Sequence, residues 1–189
     1  MRPTVTLSLL AALVMLVALP SDALAADKWD VNIYALMGKR SLGKWDDRNF
    51  EQDTSAFKEQ DVVGGEIDFG PSLWPANFWF GYTRSEKKLS IPSIDFDSTL
   101  TMTEYYAGVR SNLIGFFVSG GAASIGGEFS GHTGAVPHKV TVEREIGLLL
   151  NAGVQWRLAV VGFAIDARAL TGTKNNDYAQ LALKAGLSF

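Results

Sequence analysis

The stretch Tyr178 to Phe189, YAQLALKAGLSF, decides the fold. Ala179, Leu181, Leu183, Ala185, Leu187 and Phe189 form an apolar set; Gln180, Ala182, Lys184, Gly186 and Ser188 form a small or polar one. Successive side chains of a strand point to opposite faces, so this is a strand with one oily side. A helix would need apolar residues at spacings of three and four, which the segment lacks. Such a strand at the end of the chain needs a first strand to pair with and an apolar medium to face.

The same alternation recurs back along the chain. Strand seven sets Val161, Phe163, Ile165, Ala167 and Ala169 against Gly162, Ala164, Asp166 and Arg168. Strand six, Thr141 to Trp156, sets Ile146, Leu148, Leu150, Ala152, Val154 and Trp156 against Glu145, Gly147, Asn151, Gly153 and Gln155. Strand five, Ile114 to Ile125, keeps Phe116, Val118, Gly120 and Ala122 in phase, although Phe117 and Ile125 blur it. Strand four, about Thr99 to Arg110, alternates best at its end; Leu100 and Met102 are out of phase, which suggests a bulge there. Strand three is Ala76 to Arg84, strand two Asp61 to Gly70, and strand one Lys28 to Arg40.

That makes eight strands. Long polar connections are expected at Ser41–Gln60, Ser85–Asp97, Gly126–Val140 and Thr171–Asp177, separated by tight turns at Pro71–Pro75, Ser111–Leu113 and near Arg157. In a closed antiparallel sheet this puts every long connection on one rim, the layout of a transmembrane β-barrel. Hydrocarbon offers no hydrogen-bond partner, so an open sheet edge must be abolished by closure.

Alternation alone does not say which face is oily; the polar set does. Glu66, Asp68, Glu104, Arg110, Glu145, Asp166, Arg168 and Lys184 are interleaved with glycines such as Gly64, Gly81 and Gly153. Glycine on a solvent face has little use, whereas inside a narrow barrel it makes room for long neighbours. Trp29, Phe69, Phe116, Trp156 and Phe189 fall near the short-turn rim and Tyr82 near the other, like the aromatic belts of a bilayer interface. A soluble barrel, with apolar residues inside, is the competing architecture.

The N-terminus fits an exported protein. Arg2, an apolar run over Leu7–Leu19 and the small-residue pattern Ala23-Leu24-Ala25 have the layout of a secretory signal peptide. The run is too short to span about 30 Å as a helix. Residues 1–25 are therefore expected to be removed, by cleavage after Ala25 or Ala26, and 26–189 to form the barrel. The 189 residues contain no Cys and no single-sign charge run, which excludes disulfides and thiolate metal sites and gives no sign of nucleic-acid binding.

The chain resembles the small eight-stranded outer-membrane barrels of Gram-negative bacteria, the type formed by the outer membrane protein A transmembrane domain and outer membrane protein X. The resemblance covers the mature chain and is most specific at the alternating strand ending in Phe189. It implies an outer-membrane location among lipid and lipopolysaccharide. It also implies insertion by the outer-membrane assembly machinery, with Leu181, Leu183, Leu187 and Phe189 as the terminal signal. With nothing after Phe189, the peptidoglycan-binding domain of some relatives is expected to be absent.

Three residue groups are candidates for function. The inward charges either line an ion path or fill a lumen too narrow for one, and filling is expected of eight strands. Trp45, Arg48 and Phe50, on the first long connection, offer aromatic and Arg anchors for an extracellular ligand or a cap on the barrel mouth. Glu128, Ser130, His132 and His138 supply the residue types of acyl transfer, and some eight-stranded barrels modify lipid A. Here they lie in an expected Gly-rich loop that would orient them poorly, and the order Ser130-Gly131-His132 differs from the family's His-X-Ser on a strand. No metal-ligand set or cofactor motif is visible. The sequence thus points to a non-enzymatic surface protein, with a lipid A hydrolase or a narrow pore as alternatives.

Overall fold

The computed structural model describes residues 29–43, 58–71, 74–113 and 115–189. The expected leader at 1–25, and Trp45, Arg48 and Phe50, lie outside them. Eight strands follow one another in order: β1 (Trp29–Leu42), β2 (Glu59–Pro71), β3 (Asn77–Ile91), β4 (Phe96–Leu113), β5 (Phe116–Thr133), β6 (Val136–Leu158), β7 (Val161–Thr171) and β8 (Tyr178–Ser188). Each pairs antiparallel with the next, and β1 also pairs with β8 from Asn32↔Ser188 to Leu42↔Tyr178, so the ring is closed. Past β8, Val31 and Phe189 exchange backbone hydrogen bonds of 3.1 and 2.9 Å and extend the seam.

Outward positions carry the oily set. Leu183 is 55% exposed, Met37 63% and Ile146 70%, and Leu148 and Leu150 face the same way. The ionic set points inward and is buried: Glu66, Glu104, Arg110, Asp166, Arg168 and Lys184 are all nearly inaccessible. Apolar outside and charged inside is the inverse of a soluble barrel and suits hydrocarbon. The lumen is crowded enough to require glycine in places. A Cβ on Gly81 would meet the Tyr106 ring at 2.2 Å, and one on Gly153 the Phe117 ring at 2.6 Å.

Two expected long connections are instead strand. β3 and β4 are joined only by a short 3-10 turn at Pro92–Ile94 and Asp95, and β5 and β6 only by Gly134 and Ala135. Positive φ at Gly134 permits so tight a hairpin. β4 holds no bulge: its register runs unbroken from Phe96 to Arg110 against β3 and from Phe96 to Leu113 against β5. Leu100 and Met102 look out of phase because they face the interior, which is apolar at that level. Phe117 and Ile125 blur strand five for the same reason; both point inward and are buried. The irregularity lies instead in the β5–β6 ladder, where β6 carries one extra residue between the pairs Ile125↔Glu145 and Gly127↔Val142.

Candidate functional site

Following register from strand to strand, one row of polar side chains winds around the whole lumen. Asn77, Arg110, Ser119, Asn151, Arg168, Gln180, Arg40 and Gln60 are successive partners on β3, β4, β5, β6, β7, β8, β1 and β2. The stagger of a closed barrel makes this row climb from the short-turn end at Asn77 to the opposite end at Gln60. All eight are buried.

Carboxylates from neighbouring rows neutralise the cations. Glu66 sits at the centre: it accepts from Lys184 Nζ at 2.7 Å, from Arg110 at 2.7 Å and from Arg168 at 3.3 Å. Arg110 also donates to Asp68 at 2.8 Å, and Arg168 to Asp166 at 2.8 Å. Higher up, Arg40 donates to Glu104 at 2.6 Å and lies 4.1 Å from the Tyr178 ring centroid, while Tyr178 donates its hydroxyl to Glu104. The described buried pairs join four cations to four carboxylates. Charges sealed in low dielectric persist only when paired this closely.

Above this network the lumen is apolar. Leu42, Leu100, Met102, Ile125, Phe129 and Leu149 belong to one buried cluster that also takes in Leu170 and Tyr178. The interior is therefore ionic in its lower part and mainly oily toward the long-connection end. Inward side chains of both halves are buried.

Glu145 stands apart from the ionic network. It accepts from the backbone N–H of Asn175 at 3.0 Å and from the Asn176 amide at 3.0 Å, and so holds the β7–β8 connection against β6. Arg40, Tyr178 and Gln60 escaped the sequence reading. Their signal was phase: Arg40 shares parity with Asn32 and Tyr34, two residues beyond where alternation on strand one stops being obvious.

β3 to β6 continue where their flanking neighbours stop. Among the described residues, β2 pairs β3 no further than Asp61↔Glu86, and β7 pairs β6 no further than Leu148↔Thr171. Beyond those limits the four central strands stay paired as far as Ile91↔Phe96 and Thr133↔Val136. They form a projecting sheet whose inner face carries Phe96 and Phe129, with the His138 ring stacked on both at 5.8 and 5.3 Å. His138 Nε2 lies 2.7 Å from Ser98 Oγ. The outer face is polar, and one register row across it reads Lys88, Thr99, Ser130, Lys139.

The acyl-transfer set does not assemble on this sheet. Its members sit on strands rather than in a loop, so each has a fixed direction. Glu128, Ser130 and His132 face outward while His138 faces inward. Glu128 is engaged by Lys139 at 2.8 Å, and His132 Nε2 lies 3.8 Å from Asp97.

Outward residues of β8, Leu181, Leu183 and Leu187, form an exposed apolar row that ends at Phe189.

No model of a known protein family matches the sequence, and no curated protein does. Solved structures do match. Ail, the attachment invasion locus protein of Yersinia pestis, superposes with a TM-score of 0.64 in its complex with the heparin analogue sucrose octasulfate. Identity is 9%, over 86% of this chain and 99% of that one. A second Ail structure gives 0.63 at 10% identity, with the same coverage. Neisserial surface protein A matches at 0.47 and 17% identity, over 85% of this chain and 97% of that one. The chain thus has the fold of the small eight-stranded outer-membrane barrels.

Proposed function

We propose that this chain is a non-enzymatic integral protein of a Gram-negative outer membrane that meets extracellular partners through its projecting sheet and its first long connection. The observation that carries this reading is the extension of β3–β6 past the ends of β2 and β7. A barrel that only filled the membrane would have no use for it. Among the described residues, Val136 to Arg144 of β6 also lack a neighbouring strand on the β7 side. Such an edge suits recognition of extended segments.

The row Lys88–Thr99–Ser130–Lys139 indicates the ligand class. Two hydroxyls flanked by two ammonium groups on a flat exposed face suit an anionic, hydroxyl-rich polymer. The heparin analogue bound by Ail makes sulfated glycan the first ligand to try. Elution from heparin resin at rising salt tests it. The purified protein should be retained, and the double variant Lys88→Gln/Lys139→Gln should elute at clearly lower salt; an unchanged profile would defeat the ligand assignment. The outward row Leu181, Leu183, Leu187 and Phe189 is the proposed signal for the assembly machinery. Outer-membrane recovery of Phe189→Ser tests that, and a yield equal to wild type would count against it.

A further inference from the structure

The outer face changes character abruptly along β3 to β6. One register row reads Tyr82, Tyr105, Ser124, Ile146. The two tyrosine rings lie 5.1 Å apart, and Ile146 is largely exposed. Two residues further along each strand the row reads Arg84, Thr103, Gly126, and there β6 bulges. The bulge turns Arg144 outward. Its side chain lies across Gly126, where a Cβ would sit 2.9 Å from the Arg144 Cα. Arg144 donates to the Ser124 carbonyl at 3.0 Å and to Thr103 Oγ1 at 2.9 Å, and its guanidinium stands 5.2 Å from the Tyr105 ring centroid.

Two arginines therefore flank Thr103 from opposite sides, one step above an aromatic pair. Tyr and Trp mark the level of lipid headgroups, so the guanidiniums sit where headgroup phosphates lie. Other outward charges near this level are compensated: Lys39 pairs with Asp61, and Lys139 with Glu128. Arg84 has only an exposed contact to Glu86 at 3.3 Å. Arg144 pairs with no carboxylate among the described residues, yet it is held in place by a carbonyl, a hydroxyl and a ring. A fixed, uncompensated guanidinium is prepared for an anion that arrives from outside the chain.

We infer that Arg144 and Arg84 clasp a phosphate of an outer-leaflet phosphoglycolipid, with Thr103 between them and the acyl chains descending over Tyr82, Tyr105 and Ile146. The site rests on the membrane placement proposed above but not on the glycan row, which lies further out on the same strands.

Native mass spectrometry of the folded protein in neutral detergent tests the inference, with bisphosphorylated lipid A titrated against its dephosphorylated form. Wild type should take up the phosphorylated lipid preferentially. Arg144→Gln should weaken uptake about tenfold, as for loss of one charge-assisted bidentate contact, with Arg84→Gln acting in the same direction. Lys139→Gln should leave uptake unchanged. Equal binding of both lipids, or of wild type and Arg144→Gln, would overturn the inference. So would displacement of the lipid by millimolar inorganic phosphate, since the site would then serve free phosphate. Unboiled gel mobility shows that each variant is folded. Recovery of wild type outside the outer-membrane fraction would defeat the placement instead, and retention of Arg144→Gln on heparin separates this site from the glycan row.

Discussion

Lys184 shows what a single residue does inside a sealed lumen. It bridges Glu66 and Asp166, and each of those carboxylates also meets Arg168. Lys184→Met would leave four carboxylates facing three cations. Breaking one partner of a buried pair costs about 3–5 kcal/mol. The variant should therefore unfold at clearly lower urea, read as loss of the fast-migrating unboiled gel band; a midpoint equal to wild type would refute this. A smaller test lies at the β6–β7 turn, where Ala159 has φ 54. An L-residue in that region is strained by about 1–2 kcal/mol. Ala159→Gly should relieve part of this and raise the urea midpoint slightly. The inward charges at mid-strand were legible in the sequence because alternation brackets them. Arg40 was not, since only closure of the seam shows that β1 continues in phase to Leu42.

At the scale of the strand, the informative feature is a reversal. Along β4 the outward residues are Tyr105, Ala107 and Val109, while Glu104, Tyr106 and Arg110 point inward. Nearer the strand's beginning, outward positions become Asp97, Thr99, Thr101 and Thr103, and inward ones Phe96, Ser98, Leu100 and Met102. Period two never stops; the oily parity changes sides. Where hydrocarbon gives way to water, the sheet reverts to the soluble pattern, polar out and apolar in. That reversal is why the sequence suggested loops and a bulge. A run of Thr, Ser, Asp and Gly with its apolar residues in the unexpected phase reads as irregular until the side of the membrane is known. The projecting part of the β5–β6 hairpin should therefore be dispensable for the barrel. Deleting residues 131–136 should leave outer-membrane recovery and unboiled mobility intact while retention on heparin falls; loss of the folded band would show that the sheet is part of the barrel's own stability.

For the molecule as a whole, the eight-stranded ring and its inverted surface were legible from parity, glycine placement and aromatic position. The filling of its upper half was not, because an inward apolar residue such as Leu149 is hidden between outward Leu148 and Leu150. An ionic lower half and an oily upper half together oppose the passage of a hydrated ion. Purified protein in planar bilayers should be electrically silent at moderate voltage, and discrete conductance steps would show that the two layers part.

The seam between β1 and β8 carries a consequence for how the molecule comes to exist. Its contacts join segments from opposite ends of the described chain, so the largest loop-closure entropy falls on this pairing. Until it happens, the first and last strands each keep an unpaired margin that lipid will not solvate. Pairing of the two end strands is therefore the contact that removes both margins together.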